Sequence, residues 1–266
     1  MSWTRIFAIV LRQYYLTRDN PTRTLQIFLW PFLDIVLWGF ISKYLNEVSP
    51  GGDLIPVLLG AIILWDFLSR VMTGVTMTFF EDVWSRNFLN MFASPLSIRE
   101  YVSGMVVSTV GTSAIGFIGM LIAGGFLFGF TITSYGLLSL PFLLVLFLSG
   151  VALGIFGVAL VLRFGPSAEW FIWPLPAIVA PFVGVFYPIE TLPHWMQLIG
   201  KALPPTYVFD GVRAVVAGKG IESGALVIGS ILGVFYIALS YAFFVSVYRR
   251  AVRTGLIARY SAETVA

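Results

Sequence analysis

The chain has 266 residues, of which 58% are hydrophobic and only 11% charged, and its net charge is +3. Soluble domains contain about 45–50% apolar and about 25% charged residues, so this composition excludes an ordinary soluble enzyme, a disordered chain and a fibrous protein. A membrane-spanning helix needs about 20 apolar residues, and the chain is long enough for several. It has no cysteine, which excludes disulfides and thiolate metal sites.

Residues 3–15 are predicted to form an amphipathic helix. Its apolar face would consist of Trp3, Phe7, Val10, Leu11 and Tyr14. Arg5 and Arg12 would lie on the opposite face, an arrangement typical of a helix lying at the membrane surface. A helix simply packed on the protein is the alternative. Asp19-Asn20-Pro21 is expected to end it, so residues 1–20 form an interfacial segment.

Six apolar segments follow and are predicted to span the membrane. They cover residues 25–42, 54–80, 101–130, 135–162, 168–187 and 225–248. The fifth contains several prolines, and residues 182–210 after it are predicted to form a broken hairpin that re-enters the membrane from outside. Non-helical backbone at membrane depth must be buried in protein or line a cavity. We expect one domain over residues 1–266, an all-α membrane protein.

Arginines are concentrated at one end of the six predicted spans. They are Arg5, Arg12, Arg18, Arg23, Arg86, Arg99, Arg163, Arg249, Arg250, Arg253 and Arg259. Because basic residues accumulate on the cytoplasmic side of membrane proteins, this end is predicted to be cytoplasmic. Both chain termini would then lie in the cytoplasm, which requires an even number of spans.

Small residues recur at helix-packing spacing in two spans. They are Gly150, Gly154 and Gly157 in the fourth span, and Ala225, Gly229 and Gly233 in the last. Such faces allow membrane helices to approach closely. The pattern predicts tight packing, either within one chain or between two.

Three ionisable residues fall inside predicted spans: Asp34 in the first, and Asp66 and Arg70 in the second. Charges inside a membrane are costly and are therefore functional candidates. Asp66 and Arg70 are four residues apart and can pair on one helix face. They form either a structural ion pair or, together with Asp34, a polar lining of a translocation path.

The sequence lacks the usual signatures of catalysis. Gly200-Lys201 and Gly218-Lys219 lack the upstream glycine and the following Ser or Thr of a nucleotide-binding P-loop. His194 is the only histidine, which argues against a histidine-based metal site or catalytic triad within one chain. We therefore predict no catalytic residue, no metal site and no cofactor in this chain, and we expect transport rather than an enzymatic reaction.

Residues 81–97 are predicted to form a short amphipathic helix on the cytoplasmic side. The segment begins with Glu81-Asp82, continues with Phe88, Leu89 and Phe92 at helical spacing, and ends at Ser94-Pro95. Such a helix is suited to docking a cytoplasmic partner. A solvated connector is the alternative.

Two stretches together resemble the membrane-spanning permease subunits of type-2 ABC exporters. The first is the acidic start at Glu81 with the closing Ser94-Pro95-Leu96-Ser97. The second consists of Phe186-Tyr187-Pro188, Leu192-Pro193-His194-Trp195, Pro205-Thr206-Tyr207 and Arg213. One departure is Leu203-Pro204-Pro205, where the family commonly has Asn-Pro. The likeness covers nearly the whole chain in order.

The resemblance implies an ATP-driven exporter in the bacterial cytoplasmic (inner) membrane, with an amphipathic cargo such as a drug, lipid or glycan. Two permease copies, expected to be identical, would work with two separate ATP-binding cassette subunits, which would bind ATP and Mg. The chain would contact membrane lipid and no nucleic acid. The alternative is a stand-alone ion-coupled secondary transporter that uses Asp34, Asp66 and Arg70.

The resemblance also implies roles for two groups of residues. Those predicted to contact the ATPase subunit are Glu81, Asp82, Arg86, Phe88 and Pro95. Those predicted to form an external gate in the re-entrant hairpin are Phe182, Phe186, Tyr187 and Trp195.

Overall fold

The computed structural model describes residues 1–48, 54–85, 91, 94–130, 140–220 and 223–255. Within these residues the chain forms helices joined by turns, without a β-strand. The helices are α1 (Trp3–Arg18), α2 (Pro21–Val48), α3 (Leu54–Trp84), α4 (Ile98–Phe128), α5 (Leu140–Phe164), α6 (Leu175–Val183), α7 (His194–Lys201), α8 (Pro204–Val216) and α9 (Ser223–Arg253). Short 3₁₀ helices cover Pro166–Phe171 and Ile189–Thr191.

Among the described residues, five helices are long and apolar enough to cross a membrane: α2, α3, α4, α5 and α9. They correspond to five of the six predicted spans, and the all-α membrane fold is confirmed. The fifth predicted span, residues 168–187, is a shorter and broken segment instead. A 3₁₀ helix and α6 together form it, and the prolines at its centre explain why one continuous helix does not.

The ends of the helices follow from local sequence signals. Asp19 follows the last residue of α1, and Pro21 is the first residue of α2, as the Asp-Asn-Pro signal predicts. Ser97 caps α4 through a capping box, in which its side chain accepts a hydrogen bond from Glu100 N. Gly129 ends α4 with a φ of 67°, a left-handed conformation that glycine adopts without strain.

The centre of the bundle is formed by α3 and α5, which are the most buried of the five long helices. The glycines of α5 face α3: a Cβ on Gly150 would lie 2.7 Å from Leu68 O, and one on Gly154 would lie 2.7 Å from Val75 Cβ. Gly233 of α9 faces Leu148 of α5. Both small-residue faces therefore pack within one chain, which decides between the two possibilities left by the sequence.

Substituting Gly150 by alanine is expected to destabilise the protein by about 1–3 kcal/mol, the usual cost of overpacking a close contact. The added methyl group would collide with the backbone of α3 at Leu68, which cannot move aside as a flexible side chain can. Thermal unfolding in detergent measures the effect. The matched control is Gly111→Ala in α4, where a Cβ meets no atom within 4 Å. Equal melting temperatures for the two variants would contradict the packing argument.

Both α1 and the last turns of α9 lie at the same end of the bundle. Trp84, at the end of α3, donates a hydrogen bond from Nε1 to Glu169 Oε2 at 3.2 Å. Arg163 at the end of α5 and Arg250 near the end of α9 line one cavity. The segment that follows α5 begins at this end with Glu169, and Phe186 in the hairpin after α6 contacts Trp38 in the second half of α2. The even number of crossings and the side of each terminus stay predictions.

Candidate functional site

Helix α1 is attached to the start of α4 by one face. Ile6, Ile9 and Gln13 are buried, and Ile9 packs directly on Gly104. On the other face, Trp3 and Phe7 are exposed over 78% and 63% of their surfaces. The predicted helix is present, but Arg5 and Arg12 turn toward acidic side chains of this chain rather than toward water. The location of the exposed face at a membrane surface stays a prediction.

The Arg12 side chain reaches from α1 to the end of α3. Its Nη1 lies 2.5 Å from Asp82 Oδ1, and the Asp82 side chain has no exposed surface. Tyr101 of α4, also fully buried, donates a hydrogen bond from its hydroxyl to Asp82 Oδ2 at 2.7 Å. Asp82 thus joins three helices, and its two oxygens bind an arginine on one side and a phenol on the other.

A second ion pair lies beside the first. Arg23 of α2 pairs with Glu81, and both side chains are only 21% exposed. The same guanidinium donates from Nη2 to Gln13 Oε1 at 3.0 Å, which ties α1 to α2. The buried Gln13 therefore connects α1 to α2 by accepting this hydrogen bond.

The third contact is at the first turn of α4. Glu100 Oε1 accepts a hydrogen bond from Ser2 N at 2.6 Å, and Arg5 Nη1 lies 3.4 Å from Oε2. Glu100 Oε2 also accepts from Ser97 N at 3.0 Å in the capping box. We refer to the three pairs Arg5–Glu100, Arg12–Asp82 and Arg23–Glu81 as the arginine–acid junction. It connects α1 and α2 to the two helices on either side of residues 86–93.

The residues predicted to contact an ATPase subunit do not all lie on an accessible surface of the structure. Glu81 and Asp82 belong to the last turn of α3 rather than to a separate helix, and their carboxylates point to arginines of this chain. Asp82 is too buried for a direct contact with another protein in this conformation. Pro95 is exposed. Arg86 and Phe88 lie outside the described residues.

The hairpin opposite the junction is fixed by one arginine. Helix α6 ends at Val183 and is followed by its C-cap residue Gly184, whose φ is 63°. Arg213 of α8 donates from Nη1 to Gly184 O at 2.6 Å. The other guanidinium nitrogen, Nη2, pairs with Asp210 Oδ1 at 2.5 Å. Thr206 further donates to Gly200 O at 2.6 Å. The carbonyl groups at both helix ends are therefore satisfied by side chains of α8.

The predicted gate residues form two separate aromatic contacts. Phe182 and Trp195 make an edge-to-face pair with ring centroids 6.3 Å apart, within the hairpin. Phe186 instead stacks on Trp38 of α2, with centroids 4.4 Å apart and an interplanar angle of 11°. Tyr187 donates its hydroxyl to Pro181 O at 2.8 Å. The four residues thus hold the hairpin together and join it to the first span.

The three intramembrane charges meet between α2, α3 and α4. Arg70 Nε donates to Asp66 Oδ2 at 2.9 Å, as their spacing predicts. Asp34 of α2 is close enough to both to interact electrostatically. Gly116 of α4 leaves room for the Arg70 guanidinium, since a Cβ there would lie 2.7 Å from Nη1. Within the described ranges, no three histidine or acidic side chains are arranged to hold a metal ion.

The sequence does not predict which residues of this chain pair with Glu81, Asp82 and Phe186. The sequence indicates Arg12 as part of the polar face of α1 and both Arg12 and Arg23 as topology signals. Four arginines before the first span and a Glu-Asp pair after the second could also have suggested pairing. Trp38 was one of several aromatic residues in its span, and nothing in the sequence distinguishes it as the partner of Phe186.

A family model described as "ABC-2 type transporter" matches residues 4–217. The match begins in α1 and ends one residue after α8, so it includes the junction, the intramembrane charges and the hairpin. No curated protein gives a significant match.

Proposed function

Because the chain belongs to the ABC-2 type transporter family and is a membrane-spanning subunit of an ABC-type transporter, we propose that it exports an amphipathic cargo. ATP is hydrolysed by a separate ATP-binding cassette subunit, with Mg bound there. Two identical permease copies and two ATPase subunits form the complex. It lies in the bacterial cytoplasmic membrane, with both termini in the cytoplasm. The membrane-length helices and the concentration of arginines at one end of the predicted spans support this arrangement.

The arginine–acid junction is the observation that carries the coupling part of the proposal. ATP can bias two states of the permease only through contacts that differ between them. Residues 81–97 join α3 to α4, and the junction ties both helices to α1 and α2. A force applied by the ATPase subunit to this connection would therefore reach three spans at once. Arg86, Phe88 and Pro95 provide the direct contact, and Glu81 and Asp82 hold the connection in position.

The hairpin acts as the external gate. Its stacking contact with Trp38 joins it to α2, the same helix that Arg23 ties to the junction. Movement of α2 relative to the hairpin would separate the Trp38 and Phe186 rings and release the hairpin. Family membership does not favour the stand-alone ion-coupled carrier, and the Asp66 carboxylate is already bound to Arg70.

Purification of the tagged chain from its native membrane tests the proposal. We expect an ATP-binding subunit to co-purify with ATPase activity, and we expect the paired substitution Arg86→Ala with Phe88→Ala to reduce its recovery at least about tenfold, since a few residues dominate most interfaces. Trp195→Ala is the control, because this exposed side chain lies in the hairpin at the opposite end. Purification of the wild-type chain without any ATPase would contradict the proposal.

A further inference from the structure

One face of α2 combines a carboxylate with two indole rings. Trp30, Asp34 and Trp38 follow one another at intervals of four residues, so they lie on the same side of the helix. Trp30 is 65% exposed, and Asp34 is half-buried midway along Pro21–Val48. Trp38 is covered by Phe186 of the hairpin. We refer to these three residues as the α2 stripe.

Around the stripe, acidic side chains outnumber basic ones. Asp34 and Asp66 are two carboxylates near a single guanidinium, and Arg70 is already bound to Asp66. Asp34 forms no hydrogen bond or ion pair with the parts of the chain that the structure describes. The buried Ser113 hydroxyl of α4, one turn before Gly116, also has no hydrogen-bond partner among those residues.

A carboxylate halfway through a membrane cannot remain exposed to lipid, because its transfer into hydrocarbon costs about 2.5–3.5 kcal/mol or more. Asp34 must therefore face protein or water. Asp34 lies on the side of α2 toward Asp66 and Arg70 of α3, and it is only half-buried there. A half-buried carboxylate beside a second acid favours a position of the stripe along the water-filled path of the proposed exporter.

We infer that the α2 stripe binds the cationic group of the cargo, so that the exported molecule is an amphipathic organic cation. A carboxylate supplies the opposite charge, and indole faces attract cations while packing against apolar groups. The stacked Trp38–Phe186 pair closes the stripe on the hairpin side. This inference rests on the proposed export function and adds the chemical class of the cargo.

Binding of radiolabelled tetraphenylphosphonium to the purified complex tests the inference. We expect saturable binding that Asp34→Asn weakens at least about tenfold, equivalent to about 1.4 kcal/mol. Asp34→Glu, which keeps the charge, should stay within a few-fold of wild type. Trp30→Leu should weaken binding several-fold, and its 65% exposure makes a folding defect unimportant. Asp19→Asn, at an exposed acid between α1 and α2, is the matched control.

Tetraphenylborate has the same shape and the opposite charge, so it separates charge recognition from apolar binding. Equal saturable binding of both ions, equal affinity of wild type and Asp34→Asn, or no saturable binding of the cation would each overturn the inference. Recovery of the ATPase subunit is measured on the same preparations. Its presence without cation recognition would refute only the cargo class, whereas its absence from wild type would refute the export function itself.

Discussion

Arg12→Ala is expected to uncouple ATP hydrolysis from transport and to destabilise the protein. Removing the guanidinium leaves the buried Asp82 carboxylate with only the Tyr101 hydroxyl as its partner. Breaking a buried ion pair costs about 3–5 kcal/mol. We expect about 3 kcal/mol, the lower end of that range, because the Arg12 side chain is 27% exposed. Thermal unfolding and the ratio of transport to ATP hydrolysis measure the two effects.

Arg5→Ala is the matched control for Arg12→Ala. It removes the same side chain from the same helix, but Arg5 is 45% exposed and lies 3.4 Å from its partner Glu100. Glu100 is buried, as Asp82 is, but without Arg5 it keeps the hydrogen bonds from Ser2 N and Ser97 N, so this variant should stay close to wild type. Adding Asp82→Asn to Arg12→Ala should recover part of the stability, since no uncompensated charge remains. Equal effects of Arg5→Ala and Arg12→Ala would contradict the argument that Asp82 depends on its arginine more than Glu100 does.

The positions of the spans could be predicted from the sequence because hydropathy depends only on local composition. The segment predicted at 225–248 corresponds to α9 at Ser223–Arg253, and the one at 101–130 to α4 at Ile98–Phe128. Helix bounds differ by a few residues where charged side chains continue the helix beyond its apolar part. Glu81 and Asp82 are an example, since their pairing with arginines allows α3 to extend to Trp84.

The contacts between helices could not be predicted, because they depend on how each helix is rotated about its own axis. Helices α2 and α4 have apolar residues all around their axes, so their sequences contain almost no information about which side faces a neighbour. The stacking of Trp38 on Phe186 depends on this rotation, as does the approach of Asp34 to Asp66. Pairs within one helix, such as Asp66 and Arg70, were predictable because their spacing alone brings them together.

Arg213→Lys is expected to reduce transport at least about tenfold although it keeps the positive charge. The guanidinium of Arg213 binds Gly184 O through Nη1 and Asp210 through Nη2, so it holds the end of α6 and its own helix at the same time. A lysine has one ammonium group and cannot reproduce this two-sided geometry. The unsatisfied Gly184 carbonyl would cost about 1–3 kcal/mol, and the hairpin would lose its position over the first span.

Comparing ATP hydrolysis with transport distinguishes this defect from a loss of coupling. The junction lies at the other end of the bundle, so Arg213→Lys should leave ATPase recovery unchanged while transport falls at least about tenfold, a loss equivalent to 1.4 kcal/mol or more. Proteolysis of the hairpin in intact cells should become faster at the same time. Lys219→Ala, an exposed cation just after α8, is the control and should behave as wild type. Transport at the wild-type rate in Arg213→Lys would mean that the hairpin needs only a positive charge at this position, and the gate would then have to be sought in the Trp38–Phe186 contact alone.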